Sequence, residues 1–134
     1  MTVTLETLNE CLKCRNQIID QYEHREYLYN TVHSPSLSGI RIQQYKSPVE
    51  KAMERLQKAD DRISQLMTIH ADLEVAILNW LYDDLHDNKT PEFRRIVICH
   101  YLNGMSWKDT ALHVLQSGNE GTAKNHIYRY FNKQ

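Results

Sequence analysis

The residues with the most to offer chemically gather near the end of the chain, in the run TAKNHIYR at 122–129. At helical spacing, Ala123, Ile127 and Tyr130 fall on an inward face, with His126 and Phe131 at its margin. Gly121, Thr122, Asn125, Tyr128, Arg129 and Asn132 then point outward, and Lys124 lies on the flank. Against a nucleic acid each outward type has a use. Asn pairs bidentately with adenine, Arg and Lys with guanine or phosphate, and the Thr methyl meets thymine. The small Gly121 lets a backbone come close to a duplex.

Other constellations offer less. Cys11-Leu12-Lys13-Cys14 is half of a zinc or thiol redox signature. It lacks a second pair, and at i and i+3 of a helix it reads as two small residues near a packing seam. With Cys99 the count is odd, so free thiols are expected. Asp83, Asp84 and Asp87 suggest a cation or acid–base chemistry, but no glycine-rich cradle or nucleophile–base pair accompanies them. They read as a solvated loop. No enzyme, catalytic residue, metal site or cofactor is expected.

The elements that must position the run are short and well punctuated. Thr90-Pro91-Glu92 opens a helix with Pro at its first position, and Phe93, Ile96, Val97, His100 and Tyr101 share a face that ends at Asn103-Gly104. Ser106-Trp107-Lys108-Asp109 caps the next helix, whose inner residues are Trp107, Thr110, Ala111, Val114 and Leu115. Ser117-Gly118-Asn119 turns the chain into a last helix over about 120–132. Three short helices with a turn before the last describe a helix-turn-helix, in which the final helix enters the major groove.

The preceding part has a longer period. Leu5, Leu8, Leu12, Ile19, Tyr22 and Tyr29 approach a heptad stripe interrupted by Arg15 and Glu26, which predicts a helix over about 4–32. Residues 33–46, with Pro35 and Gly39, have no period and read as a loop. Ser47-Pro48-Val49-Glu50 is a capping box that starts a second helix, over about 48–86. Val49, Leu56, Ile63, His70 and Ile77 take one heptad position, and Ala52, Ala59, Leu66, Leu73 and Trp80 the other. His70 reads as a seam histidine. Tyr22, Tyr27, Tyr29, Tyr45 and Tyr82 read as half-buried core with wet hydroxyls. A helix of roughly 38 residues is about 57 Å long, so it must lie along the first helix, another subunit, or both.

Composition agrees with an all-α fold. Gly and Pro number only four and three in 134 residues, and helix formers abound. Charge divides the chain into a hairpin or coiled-coil arm at 1–88, with 9 basic and 14 acidic residues, and a helix-turn-helix domain at 89–134, with 7 and 3. A polyanion is drawn to the second part and repelled by the first. The start, MTVTLETLNE, has no basic leader or apolar run, and no membrane span is found. A cytoplasmic protein is expected.

Two stretches carry a resemblance. GMSWKDTA followed by GTAKNHIYR resembles the sigma-factor region 4-like and LuxR-type helix-turn-helices. SPSLSG, SPVEKAMERL and FRRIVICHYLNGMSWKD resemble the RinA/ArpU-type phage transcriptional regulators, over about 20–131 and most strongly over 93–111. The resemblance implies a sequence-specific double-stranded DNA-binding regulator, an activator of late, packaging or lysis genes at phage or prophage promoters. It implies that Ser106 and Lys108 meet phosphate and that Thr122, Lys124, Asn125 and Arg129 face the groove. Lys108, Lys124, Arg129 and Lys133 supply phosphate attraction, and Gly121 and Tyr128 complete the face. The chain departs from the pattern at Thr110, where a branched aliphatic is usual, and in an Ala111–Thr122 interval about two residues longer. A dimer through the first two helices is expected, with host RNA polymerase as a further partner. The rival reading is a helical interaction protein that contacts RNA polymerase or a packaging component like a small terminase subunit. The third is a purely structural helical assembly.

Overall fold

A computed structural model describes residues 2–32, 48–83 and 89–132. Every regular element in it is helical. The order is α1 (Leu5–Val32), α2 (Pro48–Leu81), α3 (Pro91–Val97, continued by a π-helical turn at Ile98–Leu102), α4 (Trp107–Leu115) and α5 (Glu120–Asn132). The all-α class is therefore as the sequence predicts. The expected loop at 33–46, the Ser47 cap, and Asp84 and Asp87 lie outside the described residues. Among the described residues no helix is long and apolar enough to cross a membrane.

Contacts group the chain into two compact units: Met1–Asn16 with Ile69–Gln134, and Gln17–Thr68. The charge boundary at 88/89 falls elsewhere, because the start of α1 and the end of α2 carry apolar residues that the short helices need. Leu8, Ile77, Leu81, Ile96, Val97 and Ile127 are wholly buried in the first unit. Each large aliphatic side chain so removed from water contributes about 1.5–3 kcal/mol. Cys11 and Cys14 are buried free thiols. Burial, with Glu74 and Cys14 adding, pushes the Cys11 thiol up to about 11, so it is protonated at neutral pH.

In the second unit the α2 stripe is buried as its spacing predicts, at Ala52, Ala59, Ile63 and Leu66. The α1 stripe is not. Ile19, Tyr22 and Tyr29 are 42%, 48% and 46% exposed. The half-buried Gln17, Gln21 and Arg25 and the buried Leu28, spaced at a helical period, occupy the inner side instead. With this rotation Arg25 pairs with Asp60, its Nε 2.5 Å from Oδ1. The tyrosine expectation fails with it. Tyr22, Tyr27 and Tyr29 are exposed, as is Tyr82 in the first unit, and Tyr45 lies outside the described residues.

The second helix ends at Leu81, short of the expected 86. Arg94 Nε donates to the Leu81 carbonyl at 2.9 Å and so satisfies one of the last acceptors of α2. The adjoining Asp83 is unfavourable for further helix, since carboxylates repel the negative end of the helix dipole. His70 stays half-buried in the α2 seam, its Nδ1 3.6 Å from Glu74 Oε2.

Two buried polar atoms have no hydrogen-bond partner among the described residues, His70 Nε2 in the α2 seam and the Thr110 hydroxyl in the core. Thr110 is fully buried. Valine keeps the β-branched shape and removes the stranded hydroxyl. Thr110→Val is expected to stabilise the fold by about 1 kcal/mol, read as a higher urea midpoint at unchanged slope.

Candidate nucleic-acid interface

The outward run is presented by α4 and α5, and each has a defined start. Ser106 is in extended conformation, and its Oγ accepts from the Asp109 N–H at 3.1 Å, so the predicted cap is in place. Just before it, Gly104 adopts φ +74°, the left-handed conformation that ends α3. Helix α4 then ends at Gln116, at φ 55°, and not at the glycine two residues on. Asn119 starts α5: its Oδ1 accepts from the Gly121 N–H at 3.1 Å, and its carbonyl from the Thr122 N–H at 3.2 Å. Gly121 thus has a structural reason to be small. A Cβ there would stand 3.2 Å from Asn119 Oδ1.

Ala123 and Ile127 are completely buried, as is Ala111 of α4. Alanine at 111 and 123 lets the two helices approach closely, and this apolar seam fixes the rotation of α5. Thr122, Asn125 and Arg129 are exposed along one stripe, with Gly121 and Tyr128 exposed beside it. Neither Asn125 nor Arg129 makes a hydrogen bond or ion pair among the described residues. Lys124 is half-buried on the flank, 3.9 Å from Glu120. Ser106 and Lys108 are exposed at the start of α4, and Lys133 lies outside the described residues.

Two aromatic groups hold this pair of helices. At the far end of α5, Phe93 stacks on Tyr130 at 4.5 Å and Trp80 on Phe131 at 5.9 Å. At the start of α4, the Trp107 ring lies on the His100 imidazole, with centroids 3.7 Å apart and planes 21° apart. His100 reaches that position from the π-helical turn, in which four consecutive residues, Cys99 to Leu102, are buried. Its Nδ1 lies 2.7 Å from the Met105 carbonyl, which ties the turn before α4 to α3.

The charge surplus of the C-terminal segment is only partly on its surface. Lys89 is buried, with its ammonium 5.1 Å from the Trp80 ring centroid. Arg94 is spent on Leu81 and lies over Tyr82. A different cation arrives from outside the segment. Arg15 of α1 is half-buried against Gly104, where a Cβ would stand 2.9 Å from its Nε, and it makes no hydrogen bond or ion pair among the described residues. Its only trace in the sequence is that it breaks the α1 stripe. Asn119 was legible only as part of a turn.

No family model, curated protein or solved structure matches the chain.

Burial lowers the His100 pKa below the usual 6.5, with Lys124 in the same direction and the Met105 carbonyl opposing. The unfolded chain therefore takes up this proton first, and stability present above pH 6.5 is lost as pH falls below it. Urea unfolding at pH 7.5 and 5.5 is expected to show a lower midpoint at 5.5. The drop is expected to be smaller in His100→Asn, whose amide nitrogen takes the place of Nδ1 toward Met105 without titrating.

Proposed function

We propose that the chain is a sequence-specific double-stranded DNA-binding transcriptional regulator that acts as a dimer through α1 and α2. The observation that carries the reading is the exposed stripe of Thr122, Asn125 and Arg129 on a helix whose opposite side is locked by Ala123 and Ile127. A rigid helix with unengaged donors and acceptors on one face is what base-edge recognition requires. Lys108, Lys124 and Arg129 supply phosphate attraction, and Lys133 extends it. Arg15 joins them from the turn before α4. The likeness to RinA/ArpU-type regulators supports a place at phage or prophage promoters, switching on late, packaging or lysis genes in the bacterial cytoplasm, with host RNA polymerase as partner.

A second reading rests on a different observation. Val75 is 58% exposed on α2, in a groove with Trp80 and Asn79 that is rimmed by Asp72 and Asp83. Such an acidic-rimmed groove with an exposed valine suits a basic partner segment, of RNA polymerase or of a packaging component, without specific DNA readout.

The test is a binding titration on a duplex enriched from a random pool and on its scrambled counterpart, at two salt concentrations. Asn125→Ala is expected to lose about 1–3 kcal/mol on the enriched duplex and little on the scrambled one, and Arg129→Ala to weaken both duplexes with the greater loss on the enriched one. Lys108→Gln and Arg15→Gln are expected to weaken both duplexes alike and to lower the salt slope by about one each. Equal binding of both duplexes by every variant, with activity lost in Val75→Glu, favours the second reading.

A further inference from the structure

The uncovered stripe of α1 borders an edge of α2. On α2, Asp60 and Met67 lie one heptad apart and beside the buried Ala59 and Leu66, so they share a flank of the seam. Tyr22 donates its hydroxyl to Met67 Sδ at 3.7 Å, and one turn on Arg25 pairs with Asp60. Ile19 and Tyr29 extend the α1 side in both directions. The edge therefore reads apolar, ion pair, apolar, with three large hydrophobic side chains of α1 and Met67 each between 42% and 50% exposed. Contiguous exposed apolar residues of this size mark an interaction site.

We propose that this edge receives a second copy of the same chain, its two-fold axis running along the helices. This names the surface behind the dimer of the functional reading and rests on that part of it. Such an axis sets α1 of one copy antiparallel to α2 of the other at the same height. Tyr22 then meets the second copy's Met67, and Arg25 meets the second copy's Asp60, so the layers already formed within one chain are repeated between two. Within the chain Arg25 uses Nε on Asp60, and its terminal nitrogens remain to donate to the other carboxylate. The result is a ring of four alternating charges between apolar layers. A two-fold axis across the helices at the height of the ion pair instead sets Arg25 on Arg25 and Asp60 on Asp60, and like charges reject it.

The experiment is the mass of the full chain by sedimentation equilibrium, with helicity followed by circular dichroism. Twice the chain mass is expected at micromolar concentration. Tyr22→Glu, at an exposed position, is expected to keep its helicity and to weaken association about tenfold or more, as for an interface tyrosine. Arg25→Asp and Asp60→Arg are each expected to self-associate poorly, while their equimolar mixture recovers a heterodimer, because opposite charges then meet only between chains. A monomeric wild type overturns the proposal. So does a dimer indifferent to Tyr22→Glu, or a mixture no more associated than its components. Selective DNA binding by a monomeric chain sinks this surface and leaves the DNA reading standing.

Discussion

The contact on which the candidate interface most depends is the stack of Trp107 on His100. Trp107 is the first residue of α4, so whatever holds its ring holds the cap, the helix and the turn that launches α5. The imidazole reaches that ring from the π-helical turn of α3, in which Cys99 through Leu102 are all buried. The Met105 carbonyl then closes the link between the two helices. At the other end, Tyr130 and Phe131 anchor α5 to Phe93 and Trp80. A helix held at both ends presents its outer side chains in a fixed register, and binding by a rigid element loses little to ordering on contact.

The same unit shows why the basic surplus is an unreliable map of a binding surface. Lys89 and Arg94 raise the local charge, yet one is buried over Trp80 and the other serves the end of α2. Arg15, in the acidic part of the sequence, comes to the turn at Gly104. Net charge over a segment describes a long-range field, and only the fold decides which cations stand at the surface.

Much of the architecture was legible because it is written in local chemistry. Ser106 and Thr90 cap the helices they precede, Gly104 takes the left-handed position, and the α2 stripe is buried at its heptad spacing. The outward set on α5 follows from periodicity once Ala123 and Ile127 are taken as the inner face. What was not legible depends on contacts between distant residues. The rotation of α1 brings Arg25 to Asp60, 35 residues away, and no spacing within α1 announces it. The π-helical turn and the arrival of Arg15 at Gly104 are of the same kind. The left-handed residue after α4 proved to be Gln116, since the chain must turn before Gly118 is reached.

The central claim is that the outer face of α5 and the start of α4 meet duplex DNA. Its most direct test follows the backbone amide NMR signals of the full chain while an enriched duplex is added. The account expects the largest shifts at Thr122, Asn125 and Arg129, smaller ones at Ser106, Lys108 and Gly104, and none at Asp72 or Val75. Shifts confined to α1 and α2, or no shifts at saturating duplex, contradict it.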